Sequence, residues 1–148
     1  MKYILYFSIL IALGCNSQSS KNRIESKTMP IIDSFFNRVS NKEYSNAFDE
    51  LLKSNPDINI EDSLTVESKK NFLYINNVAG VFIEYHLLKK RFISEDIAVY
   101  TYLAKYEKKF FRFFFMFYNN GKIIQLYKFR FDDDLASELE ASLQYYTN

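Results

Sequence analysis

Apolar and polar positions divide this chain into stretches of different period. From Tyr3 to Leu13 nearly every residue is apolar, and from Asn16 to about Lys27 almost none is. Between Thr28 and Gly80 apolar residues recur at helical spacing, and from Val81 to Phe131 they alternate as in a strand. Thr28 can cap a first helix with Pro30 in its first turn, where a missing N–H costs little. Ile31, Ile32, Phe35, Phe36 and Val39 then fall on one helical face, and Ser40-Asn41 break the run. Tyr44, Ala47, Phe48, Leu51 and Leu52 make a second stripe, stopped by Asn55-Pro56. Asp62 or Ser63 opens a third helix carrying Val66, Leu73 and Val78, with Gly80 as its stop.

Period two predicts four strands, at about 81–91, 97–107, 109–118 and 122–131. Lys108-Lys109 offers a tight reversal between the second and third. Asn119-Asn120-Gly121 joins the last two, and Asn-Gly favours a type I′ turn because both central residues need φ > 0. Strands joined by tight turns form an antiparallel sheet, and three helices supply apolar faces to cover one side of it. Asp132-Asp133-Asp134 places negative charge before a short last helix carrying Leu135, Leu139 and Leu143. The expected fold is α+β.

The apolar run at the start has a different meaning. As a helix, Tyr3–Leu13 would span ~16 Å, about half of a ~30 Å hydrocarbon core. After the basic Lys2 it reads as an export signal and not as a membrane span. Ala12-Leu13-Gly14-Cys15 resembles the bacterial lipobox, matching at Gly14 and Cys15 and inverting the usual order at Ala12 and Leu13. That resemblance implies a thioether lipid on Cys15 (palmitate among its acyl chains), cleavage before it and acylation of the new amino group. Cys15 is the only cysteine, so it can form neither an intramolecular disulfide nor a thiolate metal site. The domain organisation expected is a signal peptide at 1–14, a flexible tether at 15–27 and one domain at 28–148. Asn16, in place of an Asp, favours the outer-membrane or periplasmic side of the cell envelope.

Composition changes the picture in one respect. Hydrophobic residues at 48% and charged residues at 25% are ordinary for a globular domain, but aromatic residues reach 18%, with fifteen Phe, twelve Tyr and no Trp. A formal net charge of +1 gives no general attraction to nucleic acid, and none is expected as a partner. The excess of positive charge is local. Residues 86–130 hold ten Lys and Arg against Glu95, Asp96 and Glu107, whereas 131–148 adds five acids and no base. Turn solvation and neutralisation by the C-terminal segment account for this pattern, and a basic sheet face meeting an acidic partner or lipid headgroups is the alternative.

Phe35-Phe36, Tyr44-Ser45-Asn46-Ala47-Phe48 and the strands ending Lys128-Phe129-Arg130-Phe131-Asp132 resemble the NTF2-like (cystatin-like) superfamily, over residues 28–132. The likeness is to its small exported bacterial members. It implies a strongly curved four-stranded sheet wrapped around a helix as an open cone. It also implies either a non-catalytic binding module or an isomerase, cyclase or hydrolase working in the cone. No family motif transfers a catalytic role to any residue.

Among individual residues, Glu84 and His86 share one face of a strand and supply the minimum for general acid–base work. Tyr100, Tyr102 and Phe114 are candidates to line an apolar pocket, against a core or dimer-interface reading of the same aromatic strand. Metal binding has no support: there is one His, and Asp132-Asp133-Asp134 is better explained as helix-start charge. No cofactor is expected, for want of a Gly-rich phosphate loop. The leading expectation is a lipid-anchored, non-enzymatic envelope module binding an envelope protein or a small apolar ligand, with homodimerisation through the sheet face an option. A cone-pocket enzyme using Glu84 and His86 and a purely structural envelope component are the competitors.

Overall fold

A computed structural model describes residues 17–135, with side chains described from Lys21 onward. The expected export signal, Cys15 and the expected C-terminal helix lie outside the described residues. Helix α1 spans Ser17–Ser40, α2 Tyr44–Leu52 and α3 Ser63–Ala79. Strands β1 (Phe82–Phe92), β2 (Ile97–Tyr106), β3 (Phe110–Asn119) and β4 (Ile124–Asp132) follow, and neighbours in sequence are neighbours in the sheet.

Helix α1 begins earlier than its pattern suggests. Residues 17–27, expected as a tether, are helical, and Pro30 sits inside the helix instead of at its start. The core stripe starts with Ile24 and Thr28, both buried, and continues through Ile32, Phe35 and Val39. One Ile and one Thr amid polar residues give little periodic signal, but burial against the sheet holds the extra turns. Thr28 Oγ1 donates to the Ile24 carbonyl at 3.0 Å and lies 2.7 Å from the Tyr100 hydroxyl. It therefore works as a buried tie to β2, not as a helix cap.

The break after α1 is a Schellman turn. Glu43 N–H bonds the Arg38 carbonyl at 2.9 Å and Lys42 N–H the Val39 carbonyl at 3.0 Å. Lys42 occupies the left-handed position, at φ 63°. A residue with a Cβ is strained there, so Lys42→Gly should raise stability by about 0.5–1 kcal/mol in denaturant titration.

Helix α2 buries the five residues its pattern marks: Tyr44, Ala47, Phe48, Leu51 and Leu52. Helix α3 is capped as expected by Asp62, whose carboxylate accepts the Leu64 N–H at 3.0 Å. Its buried face, however, is Phe72, Ile75 and Ala79, whereas Val66 and Leu73 are exposed. Apolar residues occur on more than one side of this helix, and the side carrying Phe72 and Ile75 is the one packed inward. Gly80 ends α3 at φ 79° and ψ −159°, a region essentially closed to other residues. A Cβ there would stand 2.6 Å from Glu107 Oε2, the oxygen that accepts the Val81 N–H at 3.0 Å. Gly80→Ala should therefore lose about 1–3 kcal/mol, read as a lowered melting temperature.

The sheet corrects the resemblance drawn from sequence. Among the described residues it is an open meander with β1 and β4 at its edges, neither closed nor strongly curled, and no NTF2-like cone is formed. Alternation and tight turns belong to any antiparallel meander, so those signals do not distinguish a cone from an open sheet. The helix-facing side is filled with rings instead of left hollow. Phe35 lies 5.1–5.8 Å, centroid to centroid, from Phe36, Phe72, Phe113, Phe115 and Phe129.

The β3–β4 turn also differs from expectation. Only Gly121 has positive φ, so the loop is not type I′. Asn120 Oδ1 instead accepts the N–H groups of Lys122 and Ile123, both at 3.0 Å. This side-chain bonding closes a four-residue loop and starts β4 at Ile124.

Candidate binding surface

Strand register assigns every side chain to one of two faces. Toward the helices point rows such as Leu87–Tyr102–Phe113–Phe131 and Lys90–Tyr100–Phe115–Phe129. Away from them point His86–Leu103–Arg112–Asp132, Lys89–Thr101–Phe114–Arg130 and Arg91–Val99–Met116–Lys128. Irregularities near Ile83, Leu88 and Tyr127 re-phase β1 and β4 to keep these rows in step. Among the described residues no helix covers the second face. The sequence alone does not fix these rows, because a one-residue change in either turn exchanges the faces.

This register separates the aromatic candidates. Tyr100 and Tyr102 are buried under α1, where Tyr100 meets Thr28 and the Tyr102 hydroxyl approaches Met29 Sδ at 3.6 Å. Burial raises the pKa of both phenols and keeps them protonated. Phe114 lies on the opposite face. The three cannot line one pocket, and the two tyrosines belong to the core.

Glu84 and His86 do share a face, with His86 Nε2 at 3.4 Å from Glu84 Oε2. Their side chains are 46% and 62% exposed on the edge strand β1. Lys105 bonds Glu84 at 3.3 Å, and that bond is the main cause holding the carboxyl below its ordinary pKa. The arrangement keeps Glu84 ionised and bonded to a lysine rather than poised as a proton acceptor.

The uncovered face has its own chemistry. Lys89, Arg91, Val99, Thr101, Arg112, Phe114, Met116 and Arg130 surround a shallow depression of about 300 Å³, with Ile93 at its end. The Arg130 guanidinium stands 4.8 Å from the centroid of Phe114. Thr101, in the floor, is 6% exposed although it faces outward, so the surrounding side chains lie over it. Arg112 pairs with Asp132 at 2.8 Å, and Asp133 pairs with Lys109 at 2.9 Å. The acidic triplet thus spends at least two carboxylates at the far end of the sheet. Among the described residues no ion pair joins Lys89, Arg91 or Arg130 to a carboxylate. The local excess of positive charge in the sequence is the signal that anticipates this surface, but only the register gathers it on one face. The three cations surround Phe114 and Met116, an arrangement that suits an anionic group carried on an apolar body.

Comparisons with protein families, with characterised proteins and with solved structures return no match for this chain. The resemblance to exported NTF2-like proteins thus finds no relative to support it, and the open sheet removes its structural basis.

Proposed function

We propose that this protein is a lipid-anchored, non-enzymatic binding module of the bacterial cell envelope, whose uncovered sheet face takes an acidic protein partner. The anchor rests on residues 1–15: a basic start, an apolar run too short to span a bilayer and one cysteine directly after a small residue. Two or three acyl chains on Cys15 hold a protein firmly, where a single chain gives marginal residence. Among the described residues no helix is long and apolar enough to cross a membrane.

The observation that carries the binding role is the basic cluster of Lys89, Arg91 and Arg130 around Phe114, on a sheet face that no helix covers among the described residues. The same charges argue against a symmetric dimer through this face, because two copies would oppose their cations. A benzoylphenylalanine photo-cross-linker in place of Phe114 tests the role in the native envelope. The expected result is a discrete adduct with a different, acidic protein, lost when Arg91→Glu and Arg130→Glu are combined. An adduct of twice the protein's own mass, or no adduct, would contradict the proposal.

A further inference from the structure

At one end of the sheet, apolar side chains lie exposed on two turns that are bound to each other. The β1–β2 turn exposes Ile93 (54%) and the β3–β4 turn exposes Ile123 (42%). Asn119 ties the turns together, its N–H bonding the Asp96 carbonyl at 2.8 Å and its Nδ2 the Asp96 Oδ1 at 3.0 Å. Behind them Tyr118 and Tyr127 sit 6.4 Å apart, beside an apolar depression of about 370 Å³ shared with Ile97 and Met116. The charges at this end are mixed: Arg91 and Lys122 accompany Glu95 and Asp96.

Helix α1 leads to the same end. Glu25 pairs with Lys90 at 2.7 Å and Thr28 meets Tyr100 at 2.7 Å, so the helix crosses the Lys90–Tyr100 row near residues 25–28. Further along, Asp33 accepts the Tyr85 hydroxyl at 3.2 Å and Phe36 stacks on Tyr85 at 4.1 Å, nearer the opposite end. The N-terminal part of α1 therefore runs toward the two turns. From the crossing row back to Ser17 is ~13 Å of helix, and Cys15 is at most ~7 Å of chain further. From the same row β1 and β2 run only about 7–10 Å further before the β1–β2 turn. A chain anchored at Cys15 is therefore attached nearer this end of the sheet than the opposite one.

We infer that this tip rests on the lipid surface, with Ile93 and Ile123 among the headgroups and Tyr118 and Tyr127 at the interface, where aromatic rings with a polar edge are favoured. The inference depends on the acylation of Cys15 proposed above. Its consequence is orientation: the strands stand away from the membrane, and the basic face around Phe114 is turned sideways toward other envelope proteins. The chain contains no Trp, so single reporters can be introduced. Ile93→Trp, Ile123→Trp and, at the opposite end of the sheet, the exposed Phe110→Trp are each prepared as full chains with their lipid and placed in vesicles containing brominated phospholipid. Mass spectrometry of the same samples records the acyl chains on Cys15. Quenching at least threefold stronger for the two tip variants than for Phe110→Trp is expected. Equal quenching in acylated protein would overturn the docking and leave the anchor standing. A Cys15 without acyl chains would overturn both.

Discussion

Phe35→Ala should cost about 3–5 kcal/mol, the range for emptying the site of a fully buried ring. Phe35 is 2% exposed and its ring meets rings from α1, α3, β3 and β4, so no single element can shift to fill the space. Against a total stability of about 5–15 kcal/mol this is a large fraction, and the melting temperature should fall by roughly 10–20 °C. The informative partner is Phe114→Ala, on the uncovered face. It should cost about 1 kcal/mol or less, because that ring sits over the sheet at the surface and leaves no closed cavity. Equal losses from the two variants would mean that the two faces of the sheet have been assigned wrongly.

Cys15→Ala is expected to remove the protein from the membrane fraction entirely while leaving the fold intact. Cys15 precedes the first residue of α1, Ser17, so the substitution touches no described packing. Metabolic palmitate labelling should vanish with it. Two isoleucines and two tyrosines at the tip bury too little apolar surface to replace acyl chains, so docking alone should not retain the variant. Unchanged membrane fractionation of Cys15→Ala would refute the anchor.

Several parts of this architecture were legible in the residues and others were not, for reasons that can be named. Helix α2 was readable because its apolar residues occupy one face only, and the start and end of α3 because Asp62 and Gly80 have specific local jobs. The face of α3 was not, since Leu64, Val66 and Leu73 compete with Phe72 and Ile75 for the core. The beginning of α1 was hidden because its buried positions there are one Ile and a Thr whose hydroxyl is satisfied by a residue seventy-two positions away. The aromatic candidates failed on register. The β2–β3 turn pairs even-numbered residues of β2 with odd-numbered residues of β3, which puts Tyr100 and Tyr102 on the side opposite Phe114. The cone failed because tight turns specify which strands are neighbours and leave the bending of the sheet open. The basic surface was half legible: charge counting found the excess, and strand pairing put Lys89 and Arg130 in one row with two strands between them.

Location governs the rest, because an unanchored chain would have neither the proposed orientation nor the proposed envelope partner. Intact-mass and tandem mass spectrometry of the mature protein is the most direct test. The expected result is a chain beginning at Cys15, its sulfur carrying diacylglycerol and its amino group acylated. A free thiol at Cys15, or a mature chain beginning at any other residue, would contradict it.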